Sequence, residues 1–425
     1  MIYIFINNRE DNSNKRGHMD NKNRIFRNSE GIGGFEQGLY DEEAPQPTAS
    51  NWTRQSCFKI PDKPALIWKT SRKNAFLGGT RIGGSFAITS KKSIIVSECS
   101  NDLFAKDGKL LEISDNGTIN EIFSCNKLLG IPVIGAGGII YIYTLGASDS
   151  RGHQLFCLSP EGNIIWQYHI DYSIEKRPIL DKDGNIYMFT YGDVQGKLIC
   201  LSKDGILKWE HSFKSINWCD PVITKNEVIY VGLNVSCSLC AFHKDGEMLW
   251  EKSSGGAHGS EFINMKEDGT MYVCYGAALH AISPNSELKW TYKPERTSIH
   301  VSPALGKDGR LCLNRTPNLL ACLDAYGNEL WNVEIKGTKL QAPIIGNDGR
   351  VMQVCYESNY PKDKSWIQIF TPEGKIQWEY ATEGLIVSAY LADDNLIYFV
   401  TNIVDRKKSK NCLYTDWEVQ VIGEI

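Results

Sequence analysis

Tryptophan returns along this chain at a nearly fixed interval. Trp166, Trp209, Trp250, Trp290, Trp331 and Trp378 follow one another at 43, 41, 40, 41 and 47 residues. Each stands four residues after the second member of a turn dipeptide: Glu161-Gly162, Asp204-Gly205, Asp245-Gly246, Asn285-Ser286, Tyr326-Gly327 and Glu373-Gly374. A period near 40 residues with recurrent turn signals restricts the fold to a repeat architecture, because each unit must bury its apolar face on the next.

The unit can be read strand by strand. Before each turn lies a short apolar stretch with a small residue inside it: Leu155-Phe156-Cys157-Leu158, Leu198-Ile199-Cys200-Leu201, Leu239-Cys240-Ala241-Phe242, Leu279-His280-Ala281-Ile282 and Leu320-Ala321-Cys322-Leu323. Earlier in the unit comes a stretch opened by proline, then a turn, then a second stretch. Pro178 to Tyr187 contains Asp183-Gly184, Pro303 to Cys312 contains Asp308-Gly309, and Pro343 to Met352 contains Asp348-Gly349. Asp-Gly between two short apolar runs is a strong hairpin signal, since glycine accepts positive φ without steric cost. Four short antiparallel strands per unit make one blade of a propeller.

The ends set the blade number. Lys109 to Gly117 matches a third strand and its turn, with Glu121 at the tryptophan offset, and Arg81 to Ser97 supplies the two strands before it. After Trp378, Ile386 to Thr401 and Cys412 to Ile422 give three more strands. The stretch Pro64-Ala65-Leu66-Ile67-Trp68 is left over, and it can serve as the fourth strand of the last blade. An unpaired sheet edge is an aggregation hazard, so closure of the ring by this strand is the expected solution. The chain is therefore expected to be all-β, an eight-bladed propeller of four-stranded antiparallel blades, with seven blades as the alternative if the terminal units are irregular.

The unit Pro…Asp-Gly…Tyr…Leu-x-Ala/Cys-Leu-x-x-x-Gly-x-x-x-Trp resembles the pyrroloquinoline-quinone-type (PQQ-like) repeat of quinoprotein alcohol dehydrogenases and of the propeller lipoproteins of outer-membrane assembly. The resemblance runs over roughly residues 64 to 425. It implies that Trp166, Trp209, Trp250, Trp290, Trp331 and Trp378 pack between neighbouring blades. The quinone enzymes of the family carry a vicinal cysteine pair over their cofactor, together with a calcium site. None of the 13 cysteines here is adjacent to another, and the local contexts of that calcium site are missing, so PQQ is not supported by local motifs and the cofactor is unknown. The assembly lipoproteins begin with a signal peptide. The apolar run from Met1 to Ile6 is too short for one and has no basic flank.

Composition narrows the setting. A net charge of −4 and a pI near 6.1 give no basic field for nucleic acid, and no apolar run is long enough to span a membrane. Cys157, Cys200 and Cys322 occupy a repeat position filled by Ala241 and Ala281 elsewhere, so they read as small buried apolar residues. Reduced thiols of this kind point to the cytoplasm. Cys237-x-x-Cys240 has metal-ligand spacing, but no second pair follows and Cys240 lies on a strand. Residues 1–60 differ in kind: Asn-rich and charged at first, then Gly- and Pro-bearing, they read as a flexible polar arm before a propeller of residues 61–425.

A ring of this type gathers function where the chain enters its innermost strands. The residues at that point are Ser85, Ile131, Arg177, Asp220, Glu261, Ser302, Ala342 and Ser388, the Glu261 register being uncertain by one. Arg177, Asp220 and Glu261 come from three consecutive units, with Trp218 and His258 on the same connections, His300 on the next one and Arg81 on that of the first unit. These seven form the candidate ligand-binding set, with no metal assigned; Arg suits a carboxylate or phosphate through its planar fork. Two function classes stay open. One is a cytoplasmic propeller that binds a small polar molecule or a protein or peptide partner at the channel mouth, with no nucleic acid and no membrane. The other is a cofactor-independent or metal-assisted enzyme of a specialised biosynthetic pathway using the same mouth.

Overall fold

The computed structural model of the chain describes residues 58–77, 86–100, 107–145, 152–171, 173–174, 178–191, 195–214, 221–224, 226–233, 238–253, 263–266, 268–275, 277–295, 299, 303–315, 318–339, 342–357, 362–392, 395–403 and 416–424. Their strands form eight antiparallel sheets, each consecutive in the chain except the last. Blade 1 is built from Ala75 to Cys125, blade 2 from Val133 to Ile170 and blade 3 from Ser173 to Phe213. Blades 4, 5, 6 and 7 run from Val222 to Ser253, Ile263 to Tyr292, Ala304 to Glu334 and Thr338 to Glu383. Blade 8 takes Leu385–Ala392, Leu396–Ile403 and Asp416–Gly423 from one end of the chain and Ala65–Lys73 from the other. The eight-bladed expectation and the closing role of the Trp68 strand are both borne out: Leu66 pairs with Ile422, Trp68 with Val421 and Lys73 with Asp416.

Where a turn glycine faces it, the repeated tryptophan is used in the same way from seam to seam. The indole N–H of Trp166 donates to the Lys203 carbonyl in the turn of the next blade, at 2.9 Å, and Trp209 donates to Lys244 at 2.8 Å. Trp290 does so to Ala325 and Trp331 to Pro372. The indole faces rest on the turn glycines. A Cβ on Gly205 would lie 2.7 Å from the Trp166 ring, and one on Gly374 would lie 2.6 Å from Trp331. These glycines have φ of 77° and 82°, so the residue is required both by the backbone and by the neighbour. Blade 5 is the exception, with Ser286 (φ 68°) at the glycine position, and there Lys252 of blade 4 donates to the Ser286 carbonyl instead. The tryptophans themselves are half-buried rather than fully enclosed, because an outer strand has solvent on one side.

A second regularity was not legible as a motif. Every outer strand carries a β-bulge: at Ile67, Ile165, Lys208, Leu249, Lys289, Leu330 and Gln377, each one residue before the tryptophan, and at Ile122 in blade 1. A bulge twists an outermost strand and spoils its free edge as a template for further pairing. In blade 1 the bulge comes two positions later. Asn120, and not Glu121 at the tryptophan offset, therefore lies opposite Glu112, the counterpart of Cys157. Glu121 forms an ion pair with Lys109 instead, and Gly162 of blade 2 sits on the backbone of Ile122.

The core runs between the blades as a series of apolar clusters drawn mainly from the inner three strands, with Ile170 and Phe213 added from outer ones. Tyr141, Tyr187, Tyr230 and Tyr272 each place their ring about 6 Å from the tryptophan of their own blade, joining the second strand to the outer one. Cys157, Cys200 and Cys322 are buried free thiols, as their shared position with Ala241 and Ala281 requires. Cys240 is likewise fully buried; Cys237 lies outside the described residues.

Candidate functional site

Chain direction divides the molecule into two faces. The turns between first and second strands, and between third and outer strands, fall on one face. The links between second and third strands, and the connections between blades, fall on the other. The turn face is held by closed turns such as Gly184 N–H to the Asp181 carbonyl and Gly205 N–H to the Ser202 carbonyl. Asp181 braces one of these turns, accepting from the Asn185 side chain at 2.6 Å and the Tyr187 hydroxyl at 2.9 Å.

All seven predicted site residues belong to the connections. Arg177, Asp220, Glu261, Trp218, His258, His300 and Arg81 lie outside the described residues. The strands that follow the first three in the chain are Ile179–Leu180, Val222–Ile223 and Ile263–Met265, the innermost strands of blades 3, 4 and 5. Of the other positions on that ring, three are described. Ile131 is half-buried, Ala342 is 3% exposed and Ser388 is 2% exposed. Ser388 does not precede its strand as expected. The inner strand of blade 8 begins at Leu385, with a bulge between Ile386 and Ser388, and this draws the serine inside. None of these three positions offers a charge.

The innermost strands also share a register. One residue in each stands opposite the second-strand position that Tyr141, Tyr187, Tyr230 and Tyr272 hold in blades 2 to 5: Ala87, Val133, Ile179, Val222, Asn264, Ala304, Ile344 and Tyr390 in blade order 1 to 8. Six are aliphatic, one is tyrosine and one is asparagine. The aligned inner strands carried this signal in the sequence, but only once the register is known is Asn264 comparable with the others. It is fully buried, and its amide nitrogen donates to the carbonyl of Pro303 in blade 6.

Another buried polar group that breaks the repeat is Glu98. It accepts from Arg72 Nη1 at 2.9 Å and from the Trp417 indole N–H at 2.7 Å, between blades 1 and 8. Beside it, the Asn402 carboxamide takes the Leu77 N–H and returns a donor to the Leu77 carbonyl, both at 3.0 Å. Both oxygens of Glu98 are engaged by donors, so this carboxylate holds a seam. The buried thiols are equally unreactive. Burial pushes Cys99 up to about 12 and Cys157 and Cys200 up to about 11, so each is a thiol and not a thiolate nucleophile at neutral pH. Among the described residues, no three His, Cys, Asp or Glu side chains are grouped to hold a metal ion.

Comparison with known proteins bears on the fold. A family model described as outer membrane protein assembly factor BamB, of the PQQ-repeat type, matches residues 157–298, which is 142 of 425 residues. This bears out the repeat resemblance read from the sequence. Among solved structures, a europium-containing methanol dehydrogenase is similar at 11% identity and a TM-score of 0.64, covering 95% of this chain and 100% of that one. The C-terminal WD40 domain of Sif2 is similar at 9% identity and a TM-score of 0.55, covering 86% of this chain and 100% of that one. At such identities the likeness is one of fold alone. No curated protein matches the sequence.

Proposed function

We propose that this chain is a cytoplasmic binding propeller, taking a small polar molecule or a peptide segment of a protein partner on its connection face, in the arc of blades 3 to 5. The observation that carries the reading is a contrast between faces of the repeat. On the described strands and turns, the recurring residues (tryptophan, turn glycine, tyrosine and the small third-strand residue) are committed to packing one blade on the next. The residues that differ from blade to blade in charge, Arg177, Asp220 and Glu261, precede the innermost strands of three neighbouring blades. Function in a repeat protein collects where the repeat is broken, because packing constrains the other positions equally in every unit.

Two further points support it. The family model matched over residues 157–298 is described as an assembly factor, which favours a protein partner. The nine described cysteines are all free thiols, in keeping with a reducing compartment. The test is binding by the full chain, read as thermal shift against carboxylates, phosphates and amino acids, and as cross-linking to peptides. A hit should be lost in Arg177→Lys while the melting temperature stays that of wild type, since an ammonium cannot supply the two parallel hydrogen bonds of a guanidinium. A hit retained in that variant, or lost only through unfolding, would place the site elsewhere.

A further inference from the structure

Each outer strand starts at the turn face, and there the blades differ in how much apolar surface they leave uncovered. In blades 2, 3 and 4 two apolar residues stand exposed side by side: Ile164 and Ile165, Ile206 and Leu207, Met248 and Leu249. In blades 5, 6 and 7 the outer strand exposes one, and its neighbours are polar. Leu288 lies between Glu287 and Lys289, Leu330 follows Glu329, and Ile376 lies between Lys375 and Gln377, all of them exposed. Blade 8 has a pair, Leu66 and Ile67, but blade 1 separates it from the arc, since the outer strand Ile119–Cys125 exposes no large apolar side chain. Packing does not ask for the doubled residue, because blades 5 to 7 keep the same tryptophan and the same bulge without it.

The three pairs join into one belt. The Trp166 ring lies over Gly205, beside Ile206, and the Trp209 ring lies over Gly246, two residues from Met248. Both indoles are half-buried and bridge one pair to the next. Six side chains near half exposure, with Ile206 the most open at 66%, amount to roughly 500 Å² of accessible surface, at the upper end of what a monomer leaves uncovered. That is about two thirds of one side of a standard interface, and two such belts face to face, with the turns at their rims, pass the roughly 1,000 Å² that marks specific association.

The chemistry narrows the occupant. The six residues are aliphatic or thioether side chains, the composition of a homodimer interface, with no arginine or tyrosine among them to anchor a transient partner. Strand addition is blocked, because the outer strands bulge at Ile165, Lys208 and Leu249, so the contact must be made by side chains. The charges at the centre of the arc are self-complementary. Lys203 and Asp204 are adjacent and exposed in the blade 3 turn, with one apolar pair in the blade on either side. A twofold axis at that turn sets each Lys203 against the other copy's Asp204, and the blade 2 pair against the blade 4 pair.

We propose that this belt is the contact of a homodimer, in which a second copy of the chain meets blades 2 to 4 about a twofold axis at the blade 3 turn. The contact lies on the rim of the turn face and leaves the connection face open, so it stands apart from the binding reading above.

Sedimentation equilibrium of the full chain, from about 1 to 100 µM, tests this in the range where an interface of this size associates. The expected mass is twice that of the chain. Ile206→Glu and Leu249→Glu should each bring it to the monomer, while Ile376→Glu, the same change outside the arc, should leave the dimer intact. Charge gives a second readout. Asp204→Lys should weaken the dimer by about tenfold or more, since lysines then face one another across the axis. Adding Lys203→Asp to that variant should restore it, because exchanging both keeps opposite signs opposed. Four results would each overturn the proposal: a wild-type monomer at the highest concentration, a dimer that survives both glutamate variants, a dimer broken equally by Ile376→Glu, or a double charge exchange no tighter than the single one. The wild-type mass decides even if a variant fails to fold.

Discussion

The seam between blades 6 and 7 and the seam between blades 7 and 8 solve one problem with different pieces of chain. In the first, Trp331 donates to the Pro372 carbonyl at 3.0 Å and Arg310, from the turn Asp308-Gly309-Arg310, donates to the same oxygen at 2.9 Å. In the second, Trp378 donates to the Pro61 carbonyl at 2.9 Å and Arg350, from Asp348-Gly349-Arg350, donates to it at 3.4 Å. Pro61 thus takes the place of Pro372, although it arrives from the opposite terminus. The difference lies in reinforcement. Arg310 leans on Asp308, while Arg350 is held by Asp348, Asp62, Gln377 and the Ile60 carbonyl, and Ile60 is buried in the adjoining core. The Asp62 N–H in turn reaches Glu424.

Chain entropy gives the reason. The contact Trp331–Pro372 closes 41 residues and Trp378–Pro61 closes 317. Three doublings of loop length add about 2 kcal/mol of closure cost, which an in-line seam does not meet. The far side of blade 8 is reinforced as well. Trp68 packs its ring on Gly117 of blade 1, repeating the regular device, and Arg72 and the Trp417 indole add two hydrogen bonds to the buried carboxylate of Glu98.

The sharpest way to break this comparison is to remove the closing strand. Deleting residues 1–75 should unfold or aggregate the protein, while deleting 1–50 should leave its thermal melt nearly unchanged. If both truncations melt alike, closure by Ala65–Lys73 is not what holds the ring. Next in size, Arg350→Ala should cost about 3 kcal/mol in denaturant titration, since it strands Asp348 and two backbone carbonyls in a buried setting. Arg310→Ala, at the in-line and more exposed counterpart, should cost about 1 kcal/mol. Equal losses would mean that the two seams are energetically alike.

The tryptophans grade the regular seams against one another. Trp331→Ala should cost about 2–3 kcal/mol, below the 3–5 of a fully enclosed aromatic because the ring is half-buried. Trp250→Ala, whose neighbouring turn carries Ser286 in place of glycine, should cost about 1 kcal/mol less. The reverse order would show that the indole–carbonyl bond adds nothing. Smallest is the effect of acid on the closing segment. The Asp62 carboxyl is held below its ordinary value, first by its hydrogen bond to Lys59 and then by the Arg350 charge. A depressed carboxylate stabilises the fold above its unfolded pKa, and that contribution is lost as pH falls through the folded value. Amide exchange around Asp62, corrected for its intrinsic pH dependence, should therefore quicken below about pH 4, ahead of exchange at the Trp331 seam. A simultaneous rise at both would leave Asp62 without a role in closure.

The periodic residues were legible because their chemistry is local. Asp183-Gly184 makes a turn whatever surrounds it, and Trp166 four residues after Gly162 recurs because every blade meets its neighbour alike. That was enough for the strand order, for eight blades and for Trp68 as the closing strand. The candidate set of Arg177, Asp220, Glu261, Trp218, His258, His300 and Arg81 was legible only as a list on the connections, and it lies outside the described residues. Asn264 is silent in the sequence, because a single asparagine among apolar residues carries no meaning until eight inner strands are laid in register.

The sequence by itself determined the blade, since turn chemistry, strand alternation and the spacing of Trp and Gly act within some 40 residues. Only the tertiary structure decided the seams: which carbonyl each indole finds, where each outer strand bulges, that Pro61 stands in for a turn, and that Glu98 meets Arg72 and Trp417. These contacts join residues up to 362 positions apart. No local pattern can encode a distance that exists only after the ring has closed.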